Sequence, residues 1–138
     1  MTLKEKCPIV EFKDFGDERG RLVVVEGRHS IPFDIARVFY IYGSDSTVIR
    51  GQHANRNSEF VLINVAGKSK VRVTDTHEEF VARLDKPRTG IYIPAMIWKE
   101  MYDFSEDSVL LVLASTHYDG GEYIRDYAKY SEIMKKKS

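Results

Sequence analysis

The sequence predicts an all-β domain, a sandwich or barrel, followed by one C-terminal α-helix. Three observations predict it. Short runs rich in Val, Ile, Tyr and Phe recur at close, regular spacing, the pattern of sandwiches and barrels. Turn signals such as Gly43 to Ser46 and Asp85 to Gly90 separate the runs. Only after Tyr118 does the apolar spacing become helical.

In order, Ile9 to Phe12 reads as a short strand, and Asp14 to Gly20 as a polar, glycine-bearing turn. Leu22 to Glu26 is β-branched and apolar, a second strand. Gly27 to Pro32 is a loop, because Pro32 cannot donate to a ladder. Ile35 to Tyr42 is a strong strand, Gly43 to Ser46 a turn, and Val48 to Ala54 the next strand. Glu59 to Val65 is nearly continuous in apolar residues, so both its faces should be covered. Ala66 to Ser69 turns the chain into Lys70 to Thr74, which alternates with period two. Thr76 to Leu84 pairs back, with His77 to Glu79 in solvent. After the Asp85 to Gly90 loop, Gly90 to Pro94, Ile97 to Tyr102 and Val109 to Ala114 complete the strands. Tyr118 to Gly121 breaks the last one. Glu122 to Lys137 then has helical spacing, with Tyr123, Ile124, Tyr127, Tyr130, Ile133 and Met134 on one side. Lys135 to Lys137 sit where the macrodipole favours cations. This helix reads as a packing or interface element.

Bulk properties narrow the function. The 138 residues suggest a single domain over 1–138. Net charge is zero, with 21 basic and 21 acidic residues, which argues against nucleic acid as the main partner. One cysteine, Cys7, allows no internal disulfide and no thiolate cluster. No apolar run approaches the roughly 20 residues that span a bilayer, and the N-terminus lacks a signal-like apolar run. The expected compartment is the cytoplasm, with no membrane partner.

The chemistry concentrates in Val48 to Asn55. His53 can exchange a proton near neutral pH, Arg50 offers a planar cation suited to phosphate, and Gly51 permits a close approach. On a strand His53 and Asn55 share a face that Gln52 and Ala54 do not. A buried, satisfied His is an equal reading of these eight residues. Of the other histidines, His29 and His77 read as surface residues. His117 follows a buried strand and either caps the pocket or hydrogen-bonds locally, the second being the plainer reading. A metal site needs several converging ligands. His53 has Asn55 two residues on, Glu59 is one further candidate, and Lys99 would repel a cation, so no metal and no cofactor are expected. Lys99 is either an outward edge charge or an inward acid/base group whose pKa burial would lower. Arg37, between Ala36 and Val38, poses the same choice. Arg19 either pairs with Asp17 or Glu18 or serves as a second cation. No nucleophile motif, dinucleotide fingerprint or phosphate loop is present.

The motifs Asp17 to Gly20, Ile31 to Phe33, Arg37 to Tyr40, Arg50 to Ala54, Trp98 to Phe104, Val109 to Ser115 and Tyr123 to Tyr127 closely resemble, in this order, the sugar 3,4-ketoisomerases of the WxcM-like cupins. These act on dTDP-4-keto-6-deoxyglucose. The likeness runs from about residue 8 to about residue 130. The pieces around Arg19 and His53 also resemble the dTDP-4-keto-6-deoxyglucose 3,5-epimerases. The resemblance implies a cupin-type double-stranded β-helix (jelly roll), a homodimer, and a dTDP-linked keto-deoxysugar in the barrel. It implies an isomerase that moves the carbonyl from C4 to C3 through an enediol, in deoxyamino-sugar biosynthesis for surface glycans. His53 would be the base, Asn55 and Tyr40 orienting or polarising groups, and Lys99 a second proton carrier. Arg19, Arg37 and Arg50 would bind diphosphate or sugar oxygens, with Glu59 and Trp98 completing the substrate-binding set. Two positions depart from the family. Asn55 stands where a second His is usual, and Lys99 where His or Arg is usual. Two alternatives stay open: an epimerase on a related nucleotide sugar, and a sugar-nucleotide-binding cupin without catalysis.

Overall fold

In the computed structural model, which describes residues 1–137, the chain forms two five-stranded antiparallel sheets. The first has the order β1 (Ile9–Glu11), β7 (Thr89–Ile93), β4 (Phe60–Ala66), β9 (Val109–Ala114), β2 (Arg37–Tyr42). The second has the order β10 (Tyr123–Ile124), β3 (Arg50–Asn55), β8 (Trp98–Tyr102), β5 (Ser69–Thr74), β6 (Glu79–Leu84). Inward side chains of the two sheets, among them Phe60, Leu62, Val71, Val73, Ile91 and Val112, make one buried cluster. Complete burial of each such side chain stabilises the fold by about 1.5–3 kcal/mol before conformational entropy is counted.

Two further layers cover the outer faces. In β4 every residue from Phe60 to Asn64 is buried, because Val61 and Ile63 point outward into a second cluster with Phe12, Ile31 and Phe33. This matches the unbroken apolar run in the sequence. On the other sheet, α2 (Tyr127–Lys137) lays Tyr130 against Ala54, Trp98 and Ile124. The Tyr130 hydroxyl lies 2.9 Å from the Met96 carbonyl and 3.2 Å from that of Thr74.

Three elements differ from the sequence expectation. Residues 22–26 form no ladder strand; Val23 makes one isolated bridge to Asp14. The alternation there is nonetheless used, since Val23 and Val25 pack on the second cluster while Leu22 and Val24 are exposed. The segment covers a sheet rather than joining one. The C-terminal helix starts at Tyr127 instead of Glu122. Asp119 caps a single 3₁₀ turn over Gly120–Glu122, and Tyr123 and Ile124 extend the second sheet by pairing with Asn55 and Ala54. Finally, the N-terminus carries a short helix, α1 (Leu3–Lys6), closed by a reciprocal capping box between Thr2 and Glu5. It inserts Leu3 and Cys7 into the main core.

Candidate active site

The site is set by an irregularity in β3. Gly51 has φ +82° and Gln52 φ +55°, and the pairing with β8 shifts between Gly51 and His53. This β-bulge turns Gln52 out to solvent and brings both Arg50 and His53 to a cavity of about 120 Å³ between the sheets. Glycine is required at 51. A Cβ there would stand 3.0 Å from the Lys99 carbonyl oxygen and 3.0 Å from the Met101 sulfur. Phe39, Ile41, Lys99 and Tyr123 also line the cavity. Larger clefts lie elsewhere, such as one between Lys68, Lys70, Asp85 and Glu106, but no buried proton-transfer group lines that one.

Lys99 points inward. It is 3% exposed and lies directly across the ladder from His53. Its ammonium sits 4.5 Å from the centre of the Phe60 ring and donates to Asn55 Oδ1 at 3.0 Å. Burial pushes the Lys99 pKa down from 10.5 to about 7, against the opposing pull of Glu122 and Cys7.

His53 Nδ1 lies 3.0 Å from the Gly51 carbonyl oxygen. A carbonyl can only accept, so Nδ1 carries the proton and Nε2 keeps its lone pair. The ring packs against Tyr123, with 4.7 Å between centroids. Burial, and then the charge on Lys99, push the His53 pKa down from 6.5 to about 4. A second positive charge on His53 is thus suppressed while Lys99 is protonated. Near neutral pH the cavity holds a neutral imidazole beside an amine poised between its two forms.

Beneath these two groups lies a buried polar network absent from the sequence reading. Asn55 Nδ2 donates to Glu122 Oε2 at 3.0 Å. The backbone N–H groups of Asn57 and Ser58 donate to Glu122 Oε1 at 2.8 and 2.9 Å. The Ser58 hydroxyl contacts both Glu122 Oε2 and Thr116 Oγ1. Glu122 is 4% exposed. In the sequence it is one acid after Gly120 and Gly121, and nothing there marks it; only the 3₁₀ turn aims it inward.

The remaining anticipated residues divide. Arg50 is exposed and lines the cavity. Arg37 has two guanidinium nitrogens, Nε and Nη2, buried without a hydrogen-bond partner. Its guanidinium lies 5.3 Å from the Phe39 ring and 5.6 Å from the Tyr118 ring. Arg37 is not among the residues lining the cavity, and four others also lie outside it. Tyr40 alternates with the inward Phe39 and Ile41 and is 61% exposed. Trp98 faces the opposite way from Lys99 and packs beneath α2, 5.1 Å from the Tyr127 ring. Glu59 alternates with the inward Phe60, and its carboxylate accepts from the Tyr92 hydroxyl at 2.5 Å. Arg19 sits on an exposed turn and pairs with Asp17 at 2.7 Å. Strand alternation accounts for Tyr40, Trp98 and Glu59: each neighbours an inward residue and therefore points out. Among the described residues, no three of His, Cys, Asp and Glu gather as a metal set would.

The chain is similar to proteins of one known family. The family described as FdtA, WxcM-like, C-terminal matches residues 5–135. A TDP-4-oxo-6-deoxy-α-D-glucose 3,4-oxoisomerase of Aneurinibacillus thermoaerophilus is 39% identical over 128 residues, 93% of this chain and 92% of the relative. A mutant of the 3,4-ketoisomerase QdtA of Thermoanaerobacterium thermosaccharolyticum, solved with TDP-4-keto-6-deoxyglucose, is 41% identical with a TM-score of 0.93. The match covers 99% of this chain and 97% of that one. The TDP-fucose 3,4-ketoisomerase WlaRA of Campylobacter jejuni is 41% identical with a TM-score of 0.88, covering 93% of this chain and 95% of that one. The two-sheet architecture is thus the cupin-type jelly roll that the resemblance implied.

Proposed function

The chain belongs to the FdtA family of WxcM-like proteins, and on that premise we propose that it is a sugar-nucleotide 3,4-ketoisomerase. The substrate is a TDP-linked 4-keto-6-deoxyhexose, the class named for its relatives. The observation that carries the reading is the pairing of His53 and Lys99 across the β3–β8 ladder in one cavity. A neutral base beside a protonated acid is what a proton shuttle needs.

The steps balance without an oxidant. His53 Nε2 takes the C3 proton, which the neighbouring C4 carbonyl acidifies. The electrons of the C3–H bond form a C3–C4 double bond, and the carbonyl pair moves onto O4, which Lys99 protonates. The 3-hydroxyl then gives its proton to the neutral Lys99 amine, a carbonyl forms at C3, and the double-bond pair takes a proton at C4 from the His53 imidazolium, whose proton exchanges with solvent. Asn55 orients Lys99. Arg37, with two buried donors that lack acceptors, suits the oxygens of the diphosphate or sugar. The cavity is small beside a typical ligand cleft of about 300–1,000 Å³, so the sugar enters it and the nucleotide lies outside, along Arg50.

The enzyme acts as a homodimer in the cytoplasm. β2 is an edge strand whose outer face exposes Val38, Tyr40 and Tyr42 at 54, 61 and 72%. An edge ladder with an apolar stripe suits pairing with a second copy about a two-fold axis. Among the described residues, no helix is long and apolar enough to cross a membrane. The test of the activity is ¹³C NMR of the product from dTDP-4-keto-6-deoxyglucose. A carbonyl at C3 is expected. A C4 ketone with an inverted neighbouring carbon would make the protein an epimerase instead.

A further inference from the structure

We infer that Glu122 is a positioning residue of the proton-transfer site: through Asn55 it fixes which atom faces Lys99 and holds a countercharge one amide away from the amine. The inference rests on the ketoisomerase reading for its consequence in turnover, but its geometry stands independently.

An amide has a donor end and an acceptor end, and nothing in Asn55 itself decides which faces Lys99. Glu122 decides it. Burial works against ionisation of Glu122, yet the hydrogen bonds from Ser58, Asn57 and Asn55 outweigh it and hold the carboxyl below its ordinary value. An ionised carboxylate only accepts, so Asn55 must turn Nδ2 towards Glu122 and Oδ1 towards Lys99. The lysine therefore meets an acceptor, which steadies it in both protonation states. The backbone donors of Asn57 and Ser58 lock the carboxylate in turn. The other groups facing Lys99 supply no comparable anchor. His53 lies across the ladder, Phe60 lies beneath it, and Cys7 approaches from the end of α1 with its thiol pushed up to about 12, chiefly by burial. Glu122 acts on both titrating groups, favouring the protonated form of each.

The experiment reads Lys99 directly. Protein labelled with ¹³C at lysine Cε is titrated by NMR, and the Lys99 signal is assigned by its loss in Lys99→Met. Three proteins are compared: wild type, Glu122→Gln, and the double variant Asn55→Asp with Glu122→Gln. The double variant exchanges amide and carboxylate and keeps a donor facing an acceptor at every link, with Ser58 free to accept because Thr116 can receive its proton. It also moves the negative charge next to Lys99. In Glu122→Gln the Lys99 midpoint should fall by about one pH unit, the size of losing one nearby opposite charge. In the double variant it should rise above the wild-type value. The alkaline limb of the kcat profile should follow in both, with TDP affinity unchanged. If Glu122→Gln does not fold, the double variant carries the test alone. A Lys99 midpoint in the double variant at or below that of wild type overturns the proposal, as does a folded Glu122→Gln that titrates like wild type. The midpoints need no turnover, so failure of the ketoisomerase reading shows separately, as an unmoved carbonyl with wild-type protein.

Discussion

Replacing Lys99 by Met should make the protein more stable at pH 6 and less stable at pH 10.5, while removing turnover at both. The side chain is 3% exposed, and its pKa falls from 10.5 to about 7 on burial. At about 1.36 kcal/mol per pKa unit, holding the ammonium in the barrel costs about 5 kcal/mol. The folded state binds fewer protons than the unfolded one between pH 7 and 10.5. Wild-type stability therefore rises with pH through that window. Below it the penalty is complete; above it the penalty is gone. Met has a similar stem and carries no such charge, but it leaves Asn55 Oδ1 without its donor, a loss of about 1–3 kcal/mol. The variant should thus gain about 2–4 kcal/mol at pH 6 and lose about 1–3 kcal/mol at pH 10.5. Urea denaturation of both proteins from pH 6 to 10.5 measures the difference, in which titrations common to both cancel. Turnover should drop by on the order of 10²–10⁴, the usual worth of a positioned acid or base. Parallel stability curves, or a variant already weaker at pH 6, would refute the buried amine.

Other outcomes follow from the same geometry. His53→Asn should lower turnover by on the order of 10²–10⁴ while TDP binding, read by calorimetry, stays near wild type. For wild type, kcat/KM should be bell-shaped, lost as pH falls through the His53 value of about 4 and as it rises through the Lys99 value of about 7; the alkaline limb should vanish in Lys99→Met. Chelator treatment should leave turnover unchanged, because His53 is the one imidazole in the cavity lining and Lys99 repels a cation; activity restored only by added zinc, iron or nickel would contradict this. Tyr130→Phe should lower stability by about 1–3 kcal/mol, since it leaves the buried Thr74 carbonyl and the partly buried Met96 carbonyl short of a donor, with turnover little changed.

The strand layout was legible because period-two runs and turn residues are local signals. The faces of isolated strands were legible only in part. The alternation of His53, Ala54 and Asn55 held: Ala54 packs under α2 and His53 lines the cavity. Gly51 read as a point of close approach, but the bulge there, which brings Arg50 to the side of His53, depends on the shifted pairing with β8. The direction of Lys99 could not be read from Ile97 to Tyr102, where both faces carry large side chains; it is fixed by Trp98 taking the side beneath α2. The same parity places Tyr40 and Glu59 outside the cavity, next to inward Phe39 and Phe60. Glu122 escaped notice because its role depends on contacts with Asn55, 67 positions away, and with Ser58, which no local pattern encodes.

The central claim is a base-catalysed shift through an enediol inside the barrel, with His53 removing the C3 proton and solvent-exchanged hydrogen returning at C4. Its most direct test is incubation of the enzyme with dTDP-4-keto-6-deoxyglucose in deuterated water, followed by ¹H and ¹³C NMR. The account predicts that wild-type protein yields a 3-keto sugar carrying solvent deuterium at C4, and that His53→Asn yields neither the moved carbonyl nor the label. Recovery of unlabelled 4-keto sugar from wild type, or an equally labelled 3-keto product from His53→Asn, would contradict it.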